Sequence, residues 1–340
     1  MNDKPDISIV ISTYNRCGLL PIALDSVLAQ QTDEVRYELI VVDNNSTDDT
    51  RGVVESYIGR GVANLRYVFE GKQGIAHGRN AGIVNARAPI IAYTDDDVHV
   101  APDWIANIKR AFDEHPKADF VGGKVLARWE KEPPRWLTRE QWSPLAVLDY
   151  GNELFYVNLD KQLCLITANA AFRREALERV GHFNPRFQPL GEDHELELRI
   201  WEAGGQGLYD PRIVVTADVQ AERMTKKYHR AWNKKHGRLF AKLRLPETEE
   251  SKAGRFFDVP AHLYKQAVLD AAVWLKHTLR GARDEAFKNE TRLHFFAGFL
   301  KERRREFLHA GNQSSAREIA SFLQSLASTK NRRRAPKEIN

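Results

Sequence analysis

From residue 7 onward the chain alternates short β-branched runs with stretches whose apolar residues recur at helical spacing, the pattern of a parallel α/β sheet. It predicts strands at 7–12, 37–43, 65–69 and 90–94. Between them, helical spacing covers 19–29, 47–60 and 75–86, and a fourth helix runs from Pro102 to about 115. Ser46 with Asp49 reads as a capping box for the second helix. Gly74 opens the third helix, and Pro89 follows its end.

Beyond residue 120 the pattern changes to a strand followed by a loop rich in Trp and Pro (Trp129, Pro133, Pro134, Trp136, Trp142, Pro144). Further strand character is expected at 163–168 and 213–216, the latter after Pro211. A helix opens at Gly191-Glu192-Asp193 and reaches about 203. After Thr225 the spacing is helical only, with breaks near Pro246 and Pro260, and a basic, disordered tail is expected over 328–340. The expected organisation is a catalytic domain over 1–225, divided near 125, then a helical region over 226–327.

Polar strand ends give the pattern chemical meaning, because functional groups in parallel sheets gather at the carboxyl edge. The first strand runs into Ser12-Thr13-Tyr14-Asn15, the second into Asp43-Asn44-Asn45, and the fourth into Asp95-Asp96-Asp97. Three adjacent carboxylates at a strand end are unfavourable unless a cation compensates them, and hard oxygen donors suit Mg²⁺ or Mn²⁺. A solvated acidic turn is the plainer alternative. Gly71-Lys72-Gln73-Gly74, with His77, Arg79 and Asn80, joins glycines, cations and a helix start, an arrangement that favours a diphosphate. Asp43 could accept from a base or ribose, or simply cap a helix; Tyr14 could stack on a base or pack in the core. Glu192 and Asp193 offer either a general base or ordinary charge compensation at a helix start.

Composition narrows the field. Only Cys17 and Cys164 occur, too few for a disulfide framework, which fits a reducing compartment. The first residues lack the basic-then-apolar layout of a secretory signal, so a cytoplasmic location is expected, on the inner membrane face if peripheral. No apolar run approaches the ~18 residues of a spanning helix. The net charge is +5, yet the stretch 226–244 contains eight Lys and Arg and no acid. The acidic strand ends would repel the phosphates of a polynucleotide without a metal, so no nucleic-acid partner is expected.

Taken in order, IVISTYNR (9–16), LIVVDNNSTDDT (39–50), GKQGIAHGRNAG (71–82), YTDDDV (93–98), TANAAFRR (167–174) and GED (191–193) resemble the family 2 glycosyltransferases, inverting enzymes of the GT-A fold. The resemblance covers about two thirds of the chain. It implies an α/β fold with a mainly parallel central sheet, helices on both faces and a helical C-terminal region. It assigns nucleotide-sugar binding to Thr13, Tyr14, Asn15, Arg16, Asp43, Asn45, Lys72, Gly74, Arg79, Asp95 and Asp96, and metal binding to Asp97 and Asp95. Asp193 would be the general base, Glu192 would contact the acceptor, and Asn169 and Trp136 would line the acceptor side. The implied donor is a nucleotide-diphosphate sugar, foremost a UDP-sugar, and the implied acceptor a hydroxyl, for instance on a lipid-linked sugar.

Many relatives carry a histidine where this chain reads Thr216-Ala217-Asp218, which makes Asp218 the candidate replacement. The processive Gln-x-x-Arg-Trp signature is missing, so single-sugar addition is expected. A non-catalytic sugar-nucleotide-binding protein, regulatory or scaffolding, is the alternative. Leu263, Ala267, Ala271, Trp274 and Leu275 follow helical spacing beside Lys265, Lys276 and Arg280. That arrangement suits a membrane-surface helix, and equally one packed on the catalytic domain or within a homo-oligomer.

Overall fold

The computed structural model describes residues 4–32, 35–188, 190–251, 254–311 and 316–327; the tail expected over 328–340 lies outside them. Two compact units form. One contains the chain up to Glu130 and Ala146–Val219, the other Lys131–Leu145 and everything from Gln220.

In the first unit the order is β1 (Ile7–Thr13), α1 (Leu20–Leu28), β2 (Tyr37–Asp43), α2 (Thr50–Gly59), β3 (Leu65–Phe69), α3 (Ile75–Asn85), β4 (Ile90–Thr94), β5 (Val98–Val100) and α4 (Trp104–Glu114). It continues with β6 (Phe120–Trp129), β7 (Phe155–Val157), β8 (Asn169–Arg173), α5 (Arg174–Val180), α6 (Glu192–Glu202) and β9 (Gly207–Val219). The sheet runs β3-β2-β1-β4-β8-β6-β9-β5, with β7 on β9. The pairs β3–β2, β2–β1 and β1–β4 are parallel, and β8 joins antiparallel to both β4 and β6. The central strands β1, β2 and β4 are buried almost end to end because helices surround the sheet, which explains their continuous apolar sequences.

Helix α3 lies unusually close to β1. A methyl group on Gly82 would come within 2.3 Å of Val10 Cγ1, so only glycine allows this approach. The contact sets the position of Arg79 one turn earlier.

Three local expectations need correction. Helix α2 begins at Thr50, and the Ser46 hydroxyl accepts from the Asn15 backbone instead of forming a capping box. The stretch 163–168 is not a strand, because the Leu165 N–H turns inward to the buried Glu197 carboxyl at 2.9 Å and the strand starts at Asn169. The strand expected at 213–216 is much longer, running from 207 through Pro211 to 219, where a register shift against β6 accommodates the proline.

The second unit contains α7 (Lys226–Leu243), α8 (Pro246–Glu249), β10 (Arg255–Phe256), β11 (Val259–Pro260), α9 (Ala261–Leu279), α10 (Arg283–His309) and α11 (Ala316–Ala327). The β10–β11 hairpin interrupts what the spacing read as purely helical. Asp258 in its turn accepts from Arg255 at 3.1 Å and from the fully buried Arg303 at 3.0 Å, so a polar network fixes the turn. Leu263, Ala267, Ala271 and Trp274 are half-buried, with Leu263 packed on the Ala241, Val259 and Phe299 cluster.

Candidate active site

The carboxyl ends of β1, β2 and β4 meet as the sequence indicates. Thr13 at the end of β1 pairs with Asp43 at the end of β2, and its hydroxyl donates to Asp96 at 2.6 Å. Asp95, Asp96 and Asp97 form the short turn between β4 and β5. Arg16 donates to Asp96 at 3.0 Å and to Asp97 at 2.6 Å, so one guanidinium ties the β1 loop to that turn.

On the β2 side, Asp43 accepts from the Tyr67 hydroxyl at 2.8 Å and from the Ser46 backbone at 2.9 Å. Asn15 and Asn45 both adopt left-handed backbone conformations, which asparagine tolerates better than most residues. Asn15 also caps the neighbouring turn through Thr47 N at 2.7 Å. Tyr14 is exposed at 42%, leaving a ring face open to a ligand. Asn45 and Lys72 are likewise exposed.

Asn44 is the organising residue that sequence reasoning left out. Its side chain donates to Lys72 O at 2.7 Å and accepts from Gly74 N at 2.7 Å, clamping the glycine loop ahead of α3. Its position inside the DNN run was the available signal. Gln188, 112 positions from Ala76, accepts from the Ala76 backbone at 3.2 Å at the start of α3, and no local pattern announces it.

The buried Arg79 donates to Glu192 at 2.6 Å and lies 3.6 Å from Asp95. It therefore links the acidic turn to the start of α6. Asn80, the next residue, exchanges two hydrogen bonds with the Phe183 backbone at 2.8 and 2.9 Å, holding the segment before α6 against α3. Glu192 is buried, with Oε2 enclosed and without a hydrogen-bond partner, whereas Asp193 is half-buried. One Asp193 oxygen accepts from His194 N at 2.9 Å.

Charge is unbalanced here. Five carboxyls (Asp95, Asp96, Asp97, Glu192, Asp193) are accompanied by two guanidinium groups, Arg16 and Arg79. Desolvation raises Asp95 despite Arg79, and burial with repulsion from its neighbours pushes Asp96 up to about 6. Burial likewise raises Glu192 against the pull of Arg79, with Asp193 adding repulsion. Burial works against the Arg16 charge, yet Asp96 and Asp97 outweigh it and raise its pKa. Carboxyls held above their ordinary range by burial and by repulsion from one another are relieved by a cation, and their hard oxygens suit Mg²⁺ or Mn²⁺. Among the described residues no cluster of three or more His, Cys, Asp or Glu could hold a metal by itself. An ion held here by Asp95 and Asp97 would need further oxygens, such as those of a phosphate, to complete its shell.

Asn169 stands opposite Thr94, the residue before Asp95, in the β4–β8 pairing. Asn169 is 1% exposed, and its side chain accepts from Trp104 at 2.7 Å and donates to the Lys124 and Ile213 carbonyls, bracing the sheet. Trp136 belongs to the helical unit, where its ring packs edge-on against His229 and Phe287 at 5.0 and 4.8 Å. Asp218 is bound by Arg128 at 2.5 and 2.6 Å, although its backbone N approaches Asp97 O at 3.5 Å. Ala217 pairs with Val98.

Comparison with known proteins gives a consistent result. The family model described as "Glycosyl transferase family 2" matches residues 8–181. Validoxylamine A glucosyltransferase of Streptomyces hygroscopicus subsp. jinggangensis is 38% identical over 225 residues, 59% of this chain and 52% of that protein. Glucosyl-dolichyl phosphate glucuronosyltransferase of Haloferax volcanii is 25% identical over 208 residues, 59% and 64% respectively. The chain thus spans about half to two thirds of the curated relatives it matches. Among solved structures, a mannosyltransferase from Pyrobaculum calidifontis in complex with GDP-Man and Mn²⁺ superposes with a TM-score of 0.54 at 21% identity, covering 96% of this chain and 81% of that one.

Proposed function

The chain belongs to glycosyl transferase family 2, and from that premise we propose that it moves a single sugar from a nucleotide-diphosphate sugar to an acceptor hydroxyl, inverting the anomeric centre. The observation that carries this reading is the bridge from the half-buried Asp95 through the buried Arg79 to the buried Glu192, which brings a diphosphate-binding cation and the start of α6 together.

Tyr14 and Asp43 hold the base, and the clamped Lys72–Gly74 loop with Arg79 holds the diphosphate. Asp95 and Asp97 hold a divalent ion, which when bound stabilises the charge on the departing diphosphate. A sugar hydroxyl is a poor nucleophile, so a carboxylate must accept its proton as it attacks. Asp193 is the base because it is the accessible carboxylate of the α6 pair. Glu192, fixed by Arg79 at the start of α6, is the acceptor-side neighbour of that base.

The bound GDP-Man and Mn²⁺ of the Pyrobaculum mannosyltransferase support a nucleotide-sugar donor and a divalent ion. The name of the Haloferax relative supports a lipid-linked sugar as acceptor. A UDP-sugar is the expected donor. A ligand that binds only the native state stabilises it, by about 2.7 kcal/mol at a hundredfold excess over Kd. A melting screen of nucleotide-diphosphate sugars should therefore reveal one that stabilises the chain with Mn²⁺ and not without it. If none does, the reading is rejected.

A non-catalytic sugar-nucleotide-binding role is the second reading, favoured by Ala217 and by the capture of Asp218 by Arg128. Transfer or hydrolysis of a bound donor separates the two.

A further inference from the structure

The outward face of α9 is apolar. Val268, Leu269, Val273, Leu275 and Leu279 are all among the exposed large hydrophobic residues, at 69%, 59%, 38%, 49% and 79%. Positions 268, 272, 275 and 279 follow helical spacing up one side, with 269, 273 and 276 beside them, so the stripe runs about 17 Å along the helix. It shares Leu275, Lys276 and Arg280 with the stripe the sequence suggested, but Leu263, Ala267, Ala271 and Trp274 of that stripe are half-buried. The single acid of α9, Asp270, is buried and faces Arg292 at 3.7 Å, so no acid of this helix stands among the outward residues. Lys276 lies within the stripe and Arg280 ends it, both exposed.

Charge decides what covers this face. Residues 220–340 contain 27 Lys and Arg against 13 Asp and Glu, a net +14, whereas residues 1–219 contain 24 against 33, a net −9. A symmetric second copy would set this cationic segment against itself, since such interfaces pair identical patches. An anionic lipid surface offers both apolar depth and counter-charge. Lysine and arginine stems reach from an apolar face to the headgroups, and each such cation adds attraction near an anionic leaflet.

We propose that the outward face of α9, centred on Leu269 and Leu279 with Lys276 and Arg280, is a docking surface for anionic membrane lipids on which the helix lies in the plane of the interface. Among the described residues no helix is long and apolar enough to cross a membrane, and α9 buries its opposite side in the protein. The inference stands on the helical unit alone and does not depend on the transfer reaction.

Co-sedimentation of the full chain with phosphatidylcholine vesicles, with and without phosphatidylglycerol, tests it. The chain should pellet with the anionic vesicles and bind neutral ones about tenfold more weakly or worse. Leu269→Glu with Leu279→Glu, and separately Lys276→Glu with Arg280→Glu, should each lower anionic-vesicle binding by about tenfold or more. Because these side chains are exposed, the melting temperature and the donor-induced stabilisation should stay unchanged. Absence of wild-type vesicle binding, or binding that neither variant weakens, overturns the proposal. So does a solution dimer that Leu269→Glu with Leu279→Glu converts to monomer without any vesicle binding, which would assign the face to a second copy.

Discussion

Arg79 and Glu192, 113 positions apart, meet in a buried ion pair at 2.6 Å that joins α3 to the start of α6. Removing one member of such a pair leaves a charge without compensation, which typically costs about 3–5 kcal/mol. Arg79→Met should therefore lower stability by about that amount and also weaken donor binding, whereas Arg79→Met with Glu192→Leu should recover most of the stability and none of the binding. Melting and donor-titration measurements on both variants check this.

Gly82 meets Val10 too closely for any added carbon. Gly82→Ala should destabilise the fold by about 1–3 kcal/mol through overpacking. It should also push α3, and Arg79 with it, away from β1, so that donor affinity falls in a variant altered well away from the ligand.

Asp96 carries a sign-specific pH signature. Its folded pKa, about 6, exceeds the usual 3.8, so the folded state holds a proton that the unfolded state releases earlier. The associated stability is present at low pH and is lost as pH rises from about 3.8 through about 6. Without added metal, the melting temperature of Asp96→Asn should therefore lack part of the decline that the natural chain shows over that window. A parallel decline in both proteins contradicts the assignment.

Asp97 is paired with an Arg16 that is partly exposed, so the pair itself adds little to stability. Asp97→Asn should leave the melting temperature nearly unchanged while removing the Mn²⁺-dependent part of donor affinity, a loss of about tenfold or more given the hard-oxygen preference of the ion. Donor titrations with Mn²⁺ and with a chelator provide the readout.

The parallel half of the fold is legible in the sequence because its central strands are buried and read as largely apolar runs; 37–43 and 90–94 have the same bounds in sequence and structure, as does the half-buried edge strand 65–69. The polar strand ends are legible for a related reason, since polar side chains directly after buried strands signal a shared edge. Long-range capture of backbone groups is not legible. Glu197 draws Leu165 N out of a strand-like stretch, and Gln188 caps α3 from 112 positions away, neither with a local signature. On α9 the periodicity was visible, but burial, and hence which stripe faces outward, depends on α10, α11 and the β10–β11 hairpin. Asn169 shows a further gap: the resemblance implied that it lines the acceptor side, and its three side-chain hydrogen bonds brace the sheet.

The central claim is that Asp193 accepts the acceptor's proton. A positioned general base contributes about 10²–10⁴-fold to rate. In single-turnover assays with donor and Mn²⁺ in excess, Asp193→Asn should bind the donor as the natural chain does and transfer sugar slower by about that factor. Transfer at a near-natural rate with unchanged donor binding would contradict the account.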